Sequence, residues 1–168
     1  SGEGNAILKY PDLAGMELFN WIHQNLYKEI IPVAKDLSIE IFLEKFKGME
    51  GVVEAFIEGD EKVSPSVQCR INPLGEVDII STHDQVLGGE SGQVFVGAHF
   101  PANESYRAGI AAMGKAVALA LKEEGALGRF SIDFISVKEN DSWKHYAIEI
   151  NLRKGGTTHP FLMLQFLT

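Results

Sequence analysis

Asp133, Glu149, Asn151 and Arg153 are the residues whose types and spacing could do chemistry. They lie in two strand-like runs, GRFSIDF and YAIEINLRKGG, joined by the polar, turn-like segment Glu139-Asn140-Asp141-Ser142. Alternate side chains of a strand share a face. Ser131 and Asp133 therefore share one face, and Phe130, Ile132 and Phe134 the other. In the second run Glu149, Asn151 and Arg153 lie together, against Ile148, Ile150 and Leu152. A turn centred on Asp141 places Asp133 opposite Glu149 and Arg129 opposite Arg153. Two carboxylates and an amide oxygen on adjacent strands suit Mg²⁺, which takes hard oxygen ligands and shares its shell with phosphate and water. Arg153 is then placed to meet a phosphoryl oxygen or an acyl phosphate. On the residues alone, a solvated hairpin face with cross-strand ion pairs is an equally good reading.

The elements that must position these residues follow from periodicity. Ala6 to Tyr10 reads as a short strand, and Leu18, Phe19, Ile22, Leu26 and Ile30 mark a helix from about Gly15 to Ile30. Ser38 is placed to cap a second helix through Ile41, Phe42 and Phe46, with Gly48 at its stop. The period then changes. Strands are expected over Val52–Ile57, Ser64–Ile71, Val77–Ser81 and Gln93–Phe100, with a turn at Asn72-Pro73-Leu74-Gly75. Tyr106, Ile110, Met113, Val117 and Leu121 line one face of a helix over Asn103–Glu124. Arg129–Val137 and Trp143–Leu152 form the final hairpin, and Pro160–Leu167 a short last helix. The pattern is α+β, largely antiparallel sheet with flanking helices.

Composition bounds the function. The chain has 168 residues, 45% hydrophobic and 23% charged, as a globular domain does. Its net charge of −8 argues against nucleic acid as a partner, since phosphate binding needs clustered Lys and Arg. A single nucleotide needs only a local basic pocket. No apolar run approaches the roughly 20 residues of a membrane span, so no membrane partner is expected. One cysteine, Cys69, rules out an internal disulfide and fits a cytoplasmic location. In its strand Cys69 is expected to be packed rather than nucleophilic.

The Asp133 and Glu149-Ile150-Asn151-Leu152-Arg153 pattern resembles the metal-binding signature of the ATP-grasp superfamily. The resemblance implies that Asp133, Glu149 and Asn151 hold Mg²⁺ on the phosphates of ATP, and that Arg153 assists an acyl-phosphate step. GVVEAFIEGDE resembles the adenine and ribose strand of the same family. It implies Glu54 at the adenine amino group, backbone groups of Phe56 and Ile57 at the base edge, and Glu61 at the ribose hydroxyls. Taken alone it reads as an edge strand ending in an acidic turn. The opening Ser1-Gly2-Glu3-Gly4-Asn5 looks like the glycine-rich loop over the phosphates, with Gly2 and Gly4 giving close backbone approach.

RINPLGEVDIISTHDQVLGG and INLRKGGTTHPF resemble the peptide-ligase branch that includes the ligase of pheganomycin biosynthesis. The implied function is ATP-dependent carboxylate–amine ligation through an acyl phosphate. The alternative is a noncatalytic nucleotide-binding or scaffolding module of the same fold. Arg70, on a strand that could face the phosphates or a carboxylate, and the loop Lys154, Gly155, Gly156, Thr157, Thr158 and His159 are candidates for substrate binding, and His83, Asp84 and Gln85 form a further polar cluster. The expected organisation is a partial ATP-grasp domain. Residues 1–57 would hold the glycine-rich loop and a small subdomain, and residues 58–168 the metal- and nucleotide-binding lobe. In the family two lysines grip the phosphates from strands before the loop. These and the N-terminal portion are expected upstream of this sequence, which alone should be nearly inactive.

Overall fold

The computed structural model describes residues 4–34, 37–88 and 94–167. Gly2, expected over the phosphates, lies outside them. Two compact units are present: Ser1–Ala55 with Leu87–Phe95, and Phe56–Val86 with Val96–Thr168.

The first unit holds β1 (Ala6–Leu8), α1 (Gly15–Glu29), β2 (Ile30–Pro32) and α2 (Ile39–Met49). β1 and β2 are antiparallel, with Ile7 opposite Ile31. Helix α2 begins where expected: the Ser38 hydroxyl accepts the Ile41 amide proton at 3.3 Å, satisfying a donor the helix leaves free. Gly48 does not stop α2 but lies within its last turn. The stop is Glu50, whose φ of 61° breaks the helical path. Residues 51–59 form neither helix nor strand, so the strand expected over Val52–Ile57 is absent. Val52 and Val53 are 80% and 91% exposed. Their β-branched propensity has no adjoining strand or apolar layer to act on.

A six-stranded sheet, most of it in the second unit, is formed by β3 (Glu61–Val63), β4 (Pro65–Ile71), β5 (Val77–Gly88), β6 (Val94–His99), β7 (Gly128–Glu139) and β8 (Ser142–Asn151). The order is β3-β7-β4-β5-β6, with β8 also on β7. β3 and β4 follow one another along one edge of β7, and β8 takes the opposite edge. Helices α3 (Glu104–Glu123) and α4 (Thr158–Leu167) complete the unit.

One face of this sheet is apolar: Val67, Cys69, Ile71, Phe130, Ile132 and Phe134 are all buried. α3 covers it with Tyr106, Ile110 and Ala118. The approach is close at Gly114, where a Cβ would lie 2.9 Å from Val67 Cγ1. Asn103 caps α3 by accepting the Ser105 amide proton at 2.9 Å. β5 runs seven residues beyond the expected Ser81 because its polar residues have partners. His83 pairs with Ser66 and Asp84 with Pro65, and the Gln85 amide donates to Ser64 O. α4 starts two residues before the expected Pro160, which falls in the first turn, where proline is tolerated.

Candidate nucleotide and metal site

The polar face opposite α3 gathers the candidate residues by register. Cross-strand partners share a face. One row runs His83–Ser66–Asp133–Glu149 over β5, β4, β7 and β8. The next holds Ser81–Gln68–Ser131–Asn151, and a third Asp78–Arg70–Arg129. Asp133, Glu149 and Asn151 are thus together. The Asn151 Nδ2 donates to Asp133 Oδ2 at 3.2 Å.

This register depends on an irregularity. The hairpin turn is the two-residue Asn140–Asp141, both with positive φ, and the ladder closes on Glu139 opposite Ser142. Pairing is regular to Phe134 opposite Ala147, then slips so that Asp133 meets Glu149, leaving Ile148 as the extra residue of a bulge. The expected Arg129–Arg153 pair is not formed. The ladder ends at Asn151, where the Arg153 amide turns back to the Asn151 carbonyl at 2.7 Å. Arg129 stands instead beside Arg70.

Asp133 is half-buried, and burial raises its pKa above the ordinary carboxyl range. The Glu149 charge pushes the same way, while the neighbouring Ser66 hydroxyl and the Arg153 charge oppose it. A carboxylate that is costly to ionise alone, beside a second carboxylate, is matched by a cation. The donor set is all oxygen, as Mg²⁺ prefers. Among the described residues no group of three or more His, Cys, Asp or Glu is placed to hold a metal. These residues would therefore supply part of a shell, leaving the rest to phosphate and water. The Asn151 amide would have to turn its oxygen toward the ion.

Arg153 is exposed, its Nη1 donating to Lys154 O at 3.4 Å. The loop after it returns over the polar face. Gln68 Nε2 donates to Thr157 O at 3.2 Å, and a Cβ on Gly155 would lie 3.7 Å from Ser131 Oγ. Thr157 and Thr158 are buried, and Thr158 Oγ1 accepts the Gly155 amide proton, so these threonines shape the loop. Lys154, Gly156 and His159 remain exposed. His83 is buried, its ring tilted against that of Phe100 with centroids 4.9 Å apart, and burial lowers its pKa to about 4.

Phe56 and Ile57 precede β3 in the second unit, where a cleft of about 610 Å³ is lined by Phe56, Glu58, Asp60, Lys62 and Lys138. Lys62 Nζ lies 4.4 Å from the Phe56 ring centroid and donates to Ile57 O at 3.3 Å. Glu61 stands 3.9 Å from Lys138. Gly4 and Glu54 belong to the first unit and are exposed. Sequence reasoning missed Ser66, Gln68, Lys62 and Lys138. The alternation in Ser66-Val67-Gln68-Cys69-Arg70-Ile71 carried the signal for the first two. Nothing local marked the lysines, which the β3–β7 pairing brings to the cleft.

The family model described as IQCH-like, ATP-grasp matches residues 14–168. The chain belongs to the ATP-grasp family. Its α+β architecture of antiparallel sheet and flanking helices is that of the family. The ATP-grasp chain is 36% identical over 123 residues to an L-propargylglycine–L-glutamate ligase of Streptantibioticus cattleyicolor, covering 73% of this chain and 24% of that one. It also resembles N5-carboxyaminoimidazole ribonucleotide synthetase of Thermus thermophilus, with a TM-score of 0.48 and 20% identity. That match covers 88% of this chain and 41% of the synthetase chain. The chain thus spans about a quarter of the curated relative's length. No helix among the described residues is long and apolar enough to cross a membrane.

Proposed function

We propose that this chain is the ATP- and magnesium-binding part of a carboxylate–amine ligase that makes a peptide-like product. The observation that carries the reading is Asp133 opposite Glu149, with Asn151 bonded to Asp133, in a chain of the ATP-grasp family. The likeness to a ligase of two amino acids supports the product class.

In this reading a substrate carboxylate attacks the γ-phosphorus of ATP, ADP leaves, and an acyl phosphate forms. An amine then attacks the acyl carbon, phosphate leaves, and the nitrogen loses a proton. Asp133, Glu149 and Asn151 would hold Mg²⁺, which when bound neutralises charge on the phosphate oxygens. Arg153, with a free guanidinium face, stabilises charge on the transferred group. Residues 1–57 act as glycine-rich loop and small subdomain, with Gly2 and Gly4 over the phosphates, and residues 58–168 as the metal- and nucleotide-binding lobe. Glu54, Phe56 and Ile57 meet the adenine and Glu61 the ribose. The Ile57 carbonyl already accepts from Lys62 Nζ at 3.3 Å and has a second lone pair to offer the base. Arg70 and the loop Lys154–His159 face the acid and the amine. An ATP-using ligase of this kind works in the cytoplasm.

The chemistry is tested by incubating the full-length protein with Mg²⁺, ATP, candidate amino acids and hydroxylamine. Hydroxamate with equal ADP and phosphate supports the acyl phosphate. Hydroxamate with AMP and pyrophosphate instead means an acyl adenylate and overturns this route.

A further inference from the structure

Four side-chain atoms among the described residues are buried without a hydrogen-bond partner: Arg70 Nε, Ser81 Oγ, His83 Nδ1 and Arg129 Nη1. All four belong to residues on the polar face of the sheet. Buried polar groups in folded proteins are nearly always bonded, so orphans on one face call for a partner from outside the chain. Two of the four are guanidiniums that stand directly opposite each other on β4 and β7, Arg70 and Arg129. Like charges in that relation are destabilising. One carboxylate stands by them, Asp78, 3.6 Å from Arg70 Nε. Among the described residues the Arg129 side chain has no ion pair.

We infer that Arg70 and Arg129 form a subsite for a substrate carboxylate that is not the one activated. The inference rests on the ligase reading and adds Arg129 and a substrate class to it. The charges favour a carboxylate over a phosphate. Two guanidiniums and Asp78 leave one positive charge, which a carboxylate neutralises and a phosphate dianion overshoots. The planar fork of arginine also fits the two oxygens of a carboxylate. Arg129 lies four residues from Asp133 on the same strand and face, roughly 13 Å along the sheet at about 3.3 Å per residue. A group held there is several bonds from a phosphoryl group at the metal residues, even after the reach of the arginine side chains. The acceptor class that fits is a short peptide, with its amine toward Asp133 and Glu149 and its terminal carboxylate on the arginines. Extended chain covers about 3.3–3.6 Å per residue, which a free amino acid does not supply.

The test follows the arginine Nε–H resonances of the chain during titration with L-alanyl-L-alanine, its C-terminal amide and inorganic phosphate. Saturable shifts of both Arg70 and Arg129 with the dipeptide are expected, with affinity at least tenfold weaker for the amide and for phosphate. Arg129→Gln should weaken the dipeptide at least tenfold while leaving the melting temperature of the free chain equal or higher, because a like-charge pair is relieved. A residue that only held the fold would lower it. Arg70→Lys keeps the charge without the fork and should weaken binding less. Equal response to amide and acid, a preference for phosphate, or no response in the folded chain overturns the proposal. Mg²⁺–ATP is titrated in the same samples. Nucleotide binding without a dipeptide response sinks the subsite alone, and a dipeptide response without nucleotide binding sinks the ligase reading instead.

Discussion

Asp133 faces Glu149 across β7 and β8 through a one-residue slip in the ladder. Counting six residues back from Glu139 and six forward from Ser142 would set Asp133 against Ile148. The bulge at Ile148 puts Glu149 there instead. Without it Glu149 would fall on the face that α3 covers, where a carboxylate has no partner. The extra residue thus aims the second carboxylate, a use of bulges common beside active sites.

The raised pKa of Asp133 has a signed consequence for stability. Its folded state holds the proton more tightly than the unfolded chain, so this group's contribution is fully present below the ordinary value of 3.8 and is lost as pH rises through the folded pKa. Asp133→Asn should therefore stabilise the metal-free chain at neutral pH, read as a melting temperature above that of wild type. Carboxyl carbon NMR should show Asp133 titrating above 3.8, and moving down in Glu149→Gln. A destabilised Asn variant would mean that the carboxylate is structural.

His83 acts in the opposite sense. Its folded pKa is lowered to about 4 by burial, against the weaker raising effect of Asp84. The unfolded chain takes up a proton first, so stability is present above 6.5 and falls as pH drops from 6.5 toward 4. The loss is on the order of 3 kcal/mol at 1.36 kcal/mol per pKa unit. Urea unfolding at about pH 7 and about pH 4.5 checks it, with His83→Gln expected to flatten the difference. An unchanged pH dependence in that variant would assign the acid sensitivity elsewhere.

The hairpin turn carries two left-handed residues, Asn140 at φ 47° and Asp141 at φ 62°. A left-handed residue with a Cβ costs roughly 1–2 kcal/mol, less for Asn and Asp. Asn-Gly is the favoured pair in such two-residue turns. Asp141→Gly should therefore stabilise the chain by up to about 1 kcal/mol in chemical denaturation, despite losing the contact of the fully exposed Asp141 with Lys138 at 3.8 Å. A less stable glycine variant would show that this contact outweighs the turn conformation.

Much of this was legible where period and chemistry coincide. Helix α3, the Ser38 cap and the alternation in β7 and β8 emerge close to expectation because each obeys a local rule. The Asp133–Glu149 pair was reached through a turn centred on Asp141. The actual two-residue turn shifts the count by one, and the Ile148 bulge shifts it back. The same count fails at Arg153, because no local rule announces that the ladder ends at Asn151. Val52–Ile57 misled because β-branched residues are a preference that only a neighbouring strand realises. β5 was cut short at Ser81 because His83, Asp84 and Gln85 look like loop residues until β4 supplies their partners.

Calorimetric titration of ATP into the folded chain, with and without Mg²⁺, beside Glu149→Gln, tests the central claim most directly. The account predicts that wild type binds ATP only with Mg²⁺ and that Glu149→Gln weakens this binding at least tenfold. Binding that ignores both Mg²⁺ and Glu149, or none to the folded chain at millimolar ATP, would contradict a metal–nucleotide site on the β7–β8 face.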